Sequence, residues 1–86
     1  MPTTTLTVRY FAAARAAAAV ETEKVQVEAT ATVDGLIAAV RAQHGPELGR
    51  VLDRCSFLLD EVAVRDRELS LHDGALLDVL PPFAGG

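Results

Sequence analysis

The sequence predicts an α+β fold: a mixed sheet of about five strands, one main helix packed on one face, and a short second helix. Three observations carry that prediction. Residues 4–11 and 21–28 alternate apolar and polar side chains with the period of two that marks half-buried strands. Val33, Leu36, Ile37 and Val40 recur at i, i+3, i+4 and i+7, the apolar stripe of a helix lying on a sheet. Residues 75–80 form a nearly continuous apolar run interrupted by Asp78 alone, as expected of a central strand.

In the first strand Leu6, Val8 and Tyr10 share one face, and Thr5, Thr7 and Arg9 share the other. The alanine-rich stretch 12–19, relieved by Arg15, holds strong helix formers but little apolar bulk, so a short helical turn or wide connection is expected there. In the second strand Val25 and Val27 face the core, with Glu21, Glu23, Lys24, Gln26 and Glu28 mostly outward. An antiparallel pairing with the first strand is expected. Thr32 is placed to cap the main helix and Asp34 to complement the positive end of its dipole. Gly45 and Pro46 end that helix. Residues 47–54 form a second short helix, with Leu48, Val51, Leu52 and Cys55 on one face.

Residues 57–59 and 62–64 read as two short strands around a two-residue Asp60-Glu61 turn. Glu61 is the awkward member, because such turns favour glycine where φ is positive. Residues 65–68 form a charged loop. Leu69 and Leu71 are small core plugs, and Asp73-Gly74 is a turn signal before the last strand. The last strand, being the most apolar, belongs in the middle beside the first. A right-handed crossover through the main helix makes those two parallel. This order of elements is a β-grasp, ubiquitin-like roll over residues 1–80.

Beyond it lies a tail, Pro81-Pro82-Phe83-Ala84-Gly85-Gly86. The prolines lack amide donors and hold an extended path, so regular structure stops there. Phe83 reads as an apolar docking anchor. Two glycines leave only backbone and the terminal carboxylate of Gly86, which suits an end that must enter a narrow active-site tunnel.

Composition narrows the function classes. Eighty-six residues suffice for one modest core without disulfide or metal, although alanine supplies much of the 50% hydrophobic content. A net charge of −4 argues against nucleic acid and anionic membranes as partners. A single cysteine, Cys55, excludes an internal disulfide and a cysteine-based zinc site, and its position suits a small buried hydrophobe. No signal-peptide pattern or spanning segment is present, which leads to the expectation of a cytoplasmic protein. His44, near a helix C-terminus, is expected to cap or be solvated, and His72 to lie in a polar turn. Asp53, Asp60 and Glu61 have no metal-ligand spacing and are expected on a solvated surface; no metal site is predicted.

The opening Val8-Arg-Tyr-Phe-Ala-Ala-Ala-Arg15, the Thr32-Val33 helix start, Leu71-His-Asp-Gly74 and the Pro-Pro-Phe-Ala-Gly-Gly ending resemble the MoaD/ThiS family of ubiquitin-like sulfur carriers, and within it MoaD, the small subunit of molybdopterin synthases. The match runs in order along nearly the whole chain, and the paired prolines before the diglycine are its most specific part. The chain departs from the family pattern at Asp60-Glu61, where Asn-Gly or Asp-Gly is common, and at Ala75-Leu76.

The resemblance implies a carrier with no permanently bound cofactor. Gly86 would be adenylated from ATP by a MoeB-like enzyme and converted by a sulfur donor to a thiocarboxylate. The tail, residues 81–85, would enter a MoaE-like large subunit, in a heterotetramer, that builds the dithiolene of molybdopterin. Catalytic groups would belong to that partner. A sulfur carrier for a thiamine- or cysteine-type pathway, a ubiquitin-like modifier and a plain interaction module are the alternatives.

Overall fold

The computed structural model describes residues 2–82. Chain order is β1 (Thr3–Tyr10), α1 (Ala12–Ala18), β2 (Thr22–Glu28), α2 (Val33–His44), α3 (Pro46–Leu52), β3 (Ser56–Leu59), β4 (Val62–Ala63) and β5 (Leu76–Leu80). The five strands form one sheet in the order β2-β1-β5-β3-β4. β1 runs antiparallel to β2 and parallel to β5, and β3 runs antiparallel to both β5 and β4. The last strand therefore lies centrally beside the first, as its apolar content requires.

The core lies between the sheet and the helices. Leu6, Val8 and Tyr10 of β1, Val25 of β2, Phe57 of β3, and Leu77 and Val79 of β5 are buried. Against them pack Val33, Leu36, Ile37 and Val40 of α2 and Leu48 and Leu52 of α3. Helix α2 starts where the sequence places it: Thr32 Oγ1 accepts from the Gly35 amide at 3.2 Å. The Val33 and Asp34 amides donate to the carbonyls of Leu69 (3.0 Å) and Arg67 (2.9 Å), so the charged loop caps the rest of this end. Gly45, at φ 92°, ends α2, and Pro46 occupies the first turn of α3, where its missing amide leaves no helical bond unmade.

Four expectations need correction. The alanine-rich stretch is a true two-turn helix, so two short helices accompany the main one. Ala14 and Ala18 of α1 are buried, because side chains this small let the helix approach the core closely. Leu69 does not plug the core. Its carbonyl is engaged by α2 and its side chain stays 45% exposed, whereas Leu71 is buried. The second strand of the hairpin is shorter than the expected 62–64: it covers Val62–Ala63 at the sheet edge, where Val62 is 68% exposed, while Val64 lies beyond it and packs against the core.

The fourth correction concerns Glu23 and His44. Glu23 shares strand parity with Val25 and Val27 and so points inward, where it accepts a hydrogen bond from the Tyr10 hydroxyl. His44 Nε2 contacts the same carboxylate, and the His44 ring meets Tyr10 edge-on with centroids 5.8 Å apart. His44 is neither a cap nor solvated; it closes a half-buried polar cluster joining β1, β2 and the end of α2. Every buried side-chain polar atom among the described residues has a partner.

Candidate functional site

The candidate site is the root of the tail and the surfaces around it. β5 is held from both sides to its end. The Phe11 amide donates to the Val79 carbonyl at 3.2 Å, and Ser56 pairs with Leu80 across β3. β5 ends at Leu80; of the described residues beyond it, Pro81 is half-buried and Pro82 exposed. The Phe83 anchor, Ala84, Gly85 and the Gly86 carboxylate lie outside the described residues.

The start of β5 is fixed as firmly. Asp73 Oδ1 accepts from the Thr5 amide at 2.8 Å and the Thr4 hydroxyl at 2.9 Å, and these bonds hold its carboxyl below the usual range. The Gly74 amide donates to the Thr5 carbonyl at 2.9 Å, with Gly74 at φ 83°, a conformation that favours glycine. Asp60, in the β3–β4 turn, accepts from the Leu76 amide at 3.1 Å through Oδ1 and meets His72 Nε2 at 2.6 Å through Oδ2. The turn signals of the sequence thus become staples tying β5 to β1 and to the hairpin.

On the sheet face away from the helices, Arg9 of β1 donates through Nε (2.8 Å) and Nη2 (3.1 Å) to both carboxylate oxygens of Asp78. The guanidinium also stacks 5.3 Å from the Phe11 ring centroid. The pair flanks the path to the tail and was not anticipated. Its one signal in the sequence is that each residue is a lone charge on an otherwise uncharged strand face.

Neither candidate for covalent or metal chemistry is equipped for it. Burial pushes the Cys55 thiol up, and its sulfur donates to the Val51 carbonyl at 3.2 Å, so the sequence's reading as a buried hydrophobe describes its surroundings. Among the described residues no group of three His, Cys, Asp or Glu side chains could hold a metal. Asp53 pairs with Arg41 at 2.9 Å on the surface. No helix of the described residues is long and apolar enough to cross a membrane.

This topology, with its last strand central and a tail leaving it, defines a β-grasp domain of the ubiquitin-like kind. The model of the ThiS family matches residues 8–86, and the chain belongs to that family, the MoaD/ThiS sulfur carriers. It is 36% identical over 81 residues to a molybdopterin synthase sulfur carrier subunit of Chlamydomonas reinhardtii, covering 92% of this chain and 95% of the relative. Among solved structures it is similar to SAMP1, a small archaeal modifier protein from Haloferax volcanii. That likeness has a TM-score of 0.85 at 27% identity, covering 95% of this chain and 99% of the other. It is also similar to the HVO 2177 protein of the same organism, with a TM-score of 0.83 at 28% identity, covering 98% and 88% of the two chains.

Proposed function

We propose that this chain is the sulfur-carrier small subunit of a molybdopterin synthase, with residues 1–80 as the domain and 81–86 as the working tail. The 36% identity to a molybdopterin synthase sulfur carrier subunit carries the reading, and the Pro-Pro-Phe-Ala-Gly-Gly ending supports it.

A terminal carboxylate, with an ordinary pKa of about 3.3–3.7, is ionised at neutral pH and is a poor electrophile. The Gly86 carboxylate attacks the α-phosphorus of ATP in a MoeB-like enzyme, releasing pyrophosphate and leaving an acyl-adenylate. Sulfide-level sulfur from a sulfur donor attacks the Gly86 carbonyl carbon, displaces AMP and leaves a thiocarboxylate. The thiocarboxylated tail then enters a MoaE-like large subunit, whose residues supply catalysis while the sulfur passes to the pterin precursor and water cleaves the acyl–sulfur bond, restoring the Gly86 carboxylate. Pro81 and Pro82 keep the path extended, Phe83 anchors it, and Ala84 and Gly85 fit the tunnel. All of this takes place in the cytoplasm.

The likeness to a small archaeal modifier favours a second reading, in which the same activated Gly86 is passed to lysine amines. Intact mass after incubation with the activating enzyme, ATP and a sulfur donor separates the two. Oxygen-to-sulfur exchange at Gly86, followed by dithiolene formation with the large subunit, is the expected result. Adducts on other proteins without that exchange would instead assign the modifier role.

A further inference from the structure

Arg50 of α3 and Arg54, just after it, are exposed, and neither forms an ion pair among the described residues, whereas Arg9, Arg15, Arg41 and Arg67 do. The two line a groove of about 590 Å³ together with Ala13 of α1, Val51 of α3, and Pro81 and Pro82 at the root of the tail. Glu47 is the one acidic residue of its lining. The groove is thus locally basic on a chain of net charge −4.

Resting on the carrier reading, we propose that this groove receives an acidic segment of the protein that draws in the tail. An apolar residue of that segment seats against Val51 and the prolines, and its carboxylates meet Arg50 and Arg54. Three arguments converge on this occupant. The tail's own root forms one wall, so a protein holding the tail extended must bring its surface against the groove. Ala13, Val51 and the two prolines give the lining apolar side chains, while the two guanidinium forks match carboxylate geometry. A nucleotide fits worse, because four extended residues put Gly86 about 13–14 Å beyond Pro82, and ATP engages that far end. On an acidic carrier, one basic groove beside the tail also fixes the orientation in which an acidic partner segment docks.

The test uses the full chain with Arg50→Glu and Arg54→Glu together. Pyrophosphate release by the activating enzyme and dithiolene formation by the large subunit are each measured against carrier concentration, at low and at high salt. With at least one partner, KM should rise about tenfold at low salt with kcat nearly unchanged, and the gap should narrow as salt screens the charges. Arg50→Lys with Arg54→Lys should keep most of the affinity. A KM within about twofold of wild type for both partners, a loss insensitive to salt, or a gain in rate would overturn the inference. Gly85→Val run in parallel separates the two claims. If it loses turnover while the arginine variant behaves as wild type, the carrier reading stands and the groove falls. If the wild-type chain itself supports neither adenylation nor dithiolene formation, the carrier reading falls.

Discussion

Arg9 and Asp78 face each other across the two central parallel strands, with both carboxylate oxygens engaged by one guanidinium. Asp78 is only 3% exposed, although it points away from the core; the Arg9 side chain covers it and remains 41% exposed itself. The Arg9 guanidinium is held more firmly protonated, first by its hydrogen bond to Asp78 and then by that charge. Truncating one partner of such a pair strands the other, whereas replacing both removes the desolvation cost with the bond. Arg9→Met alone should lower the melting temperature by on the order of 5–10 °C. Arg9→Met with Asp78→Leu should recover most of that loss. A double variant less stable than the single one in thermal unfolding would show that the pair is a net source of stability.

His72 and Asp60 give a pH dependence of known sign. The hydrogen bond from His72, then that from the Leu76 amide, holds the Asp60 carboxyl below its usual range. The bond to Asp60, then that to the Asp73 carbonyl, raises the His72 imidazole. Asp60's contribution is present above its unfolded pKa of about 4 and is lost as pH falls through the lower folded value. His72's contribution is complete below about 6.5 and is lost as pH rises through the raised folded value. The pair is therefore fully formed between about pH 4 and 6.5, and its exposure keeps the effect small and salt-sensitive. NMR titration should find the His72 pKa higher in the wild type than in Asp60→Asn. Equal values in the two proteins would refute the coupling.

The hairpin turn separates two residues that share a backbone conformation. Asp60 sits at φ 49° and Glu61 at φ 70°. Glu61 makes no side-chain hydrogen bond among the described residues, so Glu61→Gly should relieve strain and stabilise by up to about 1 kcal/mol. Asp60→Gly relieves the same strain but loses the bonds to His72 and Leu76 and the tie to β5. Chemical denaturation should move the two midpoints in opposite directions.

The chain's one tyrosine reports on the buried cluster. Burial first, and then the hydrogen bond to Glu23, pushes the Tyr10 hydroxyl far above its ordinary value of about 10. Above about pH 10 the unfolded chain can ionise this group while the folded one resists, so stability falls with rising pH. Phenolate absorbance should appear only together with loss of the circular dichroism signal. Tyr10→Phe should cost about 1–2 kcal/mol, because Glu23 loses a buried donor.

Much of the fold was legible because its signals are local. Leu6, Val8 and Tyr10 alternate, Val33 to Val40 repeat at helical spacing, and the apolar 75–80 run has only one place to go in a sheet. The family resemblance named the tail from its prolines and diglycine. Glu23 was misread because its charge was weighed above its parity with Val25, and the partners that make its inward position tolerable lie on β1 and α2. His44 and Leu69 were misread for a similar reason: each is fixed by a bond to a residue more than twenty positions away. The Arg50–Arg54 groove was invisible for want of any way to know that α1, α3 and the tail root meet.

The carrier reading depends on a free carboxylate at Gly86 and on the absence of side chains just before it. Adding one residue after Gly86 keeps the domain, Phe83 and the count of charges. It moves the carboxylate about 3.3–3.6 Å along an extended chain and puts an amide where the reacting group belongs. A displacement of about 1 Å in a positioned reactant can cost about a hundredfold in rate, so the extended chain should be adenylated at a small fraction of the wild-type rate. Gly85→Val tests the steric half alone, since it keeps the terminal group and adds a branched side chain inside the tunnel. Both variants should melt at the wild-type temperature, because β5 and its bonds to β1 and β3 end before the change. The measurement is ATP-dependent thiocarboxylate formation by intact mass, followed by dithiolene production with the large subunit. Wild-type turnover of the extended chain, with mass showing no trimming back to Gly86, would refute the requirement for a carboxylate at Gly86 and the narrow tunnel inferred from it.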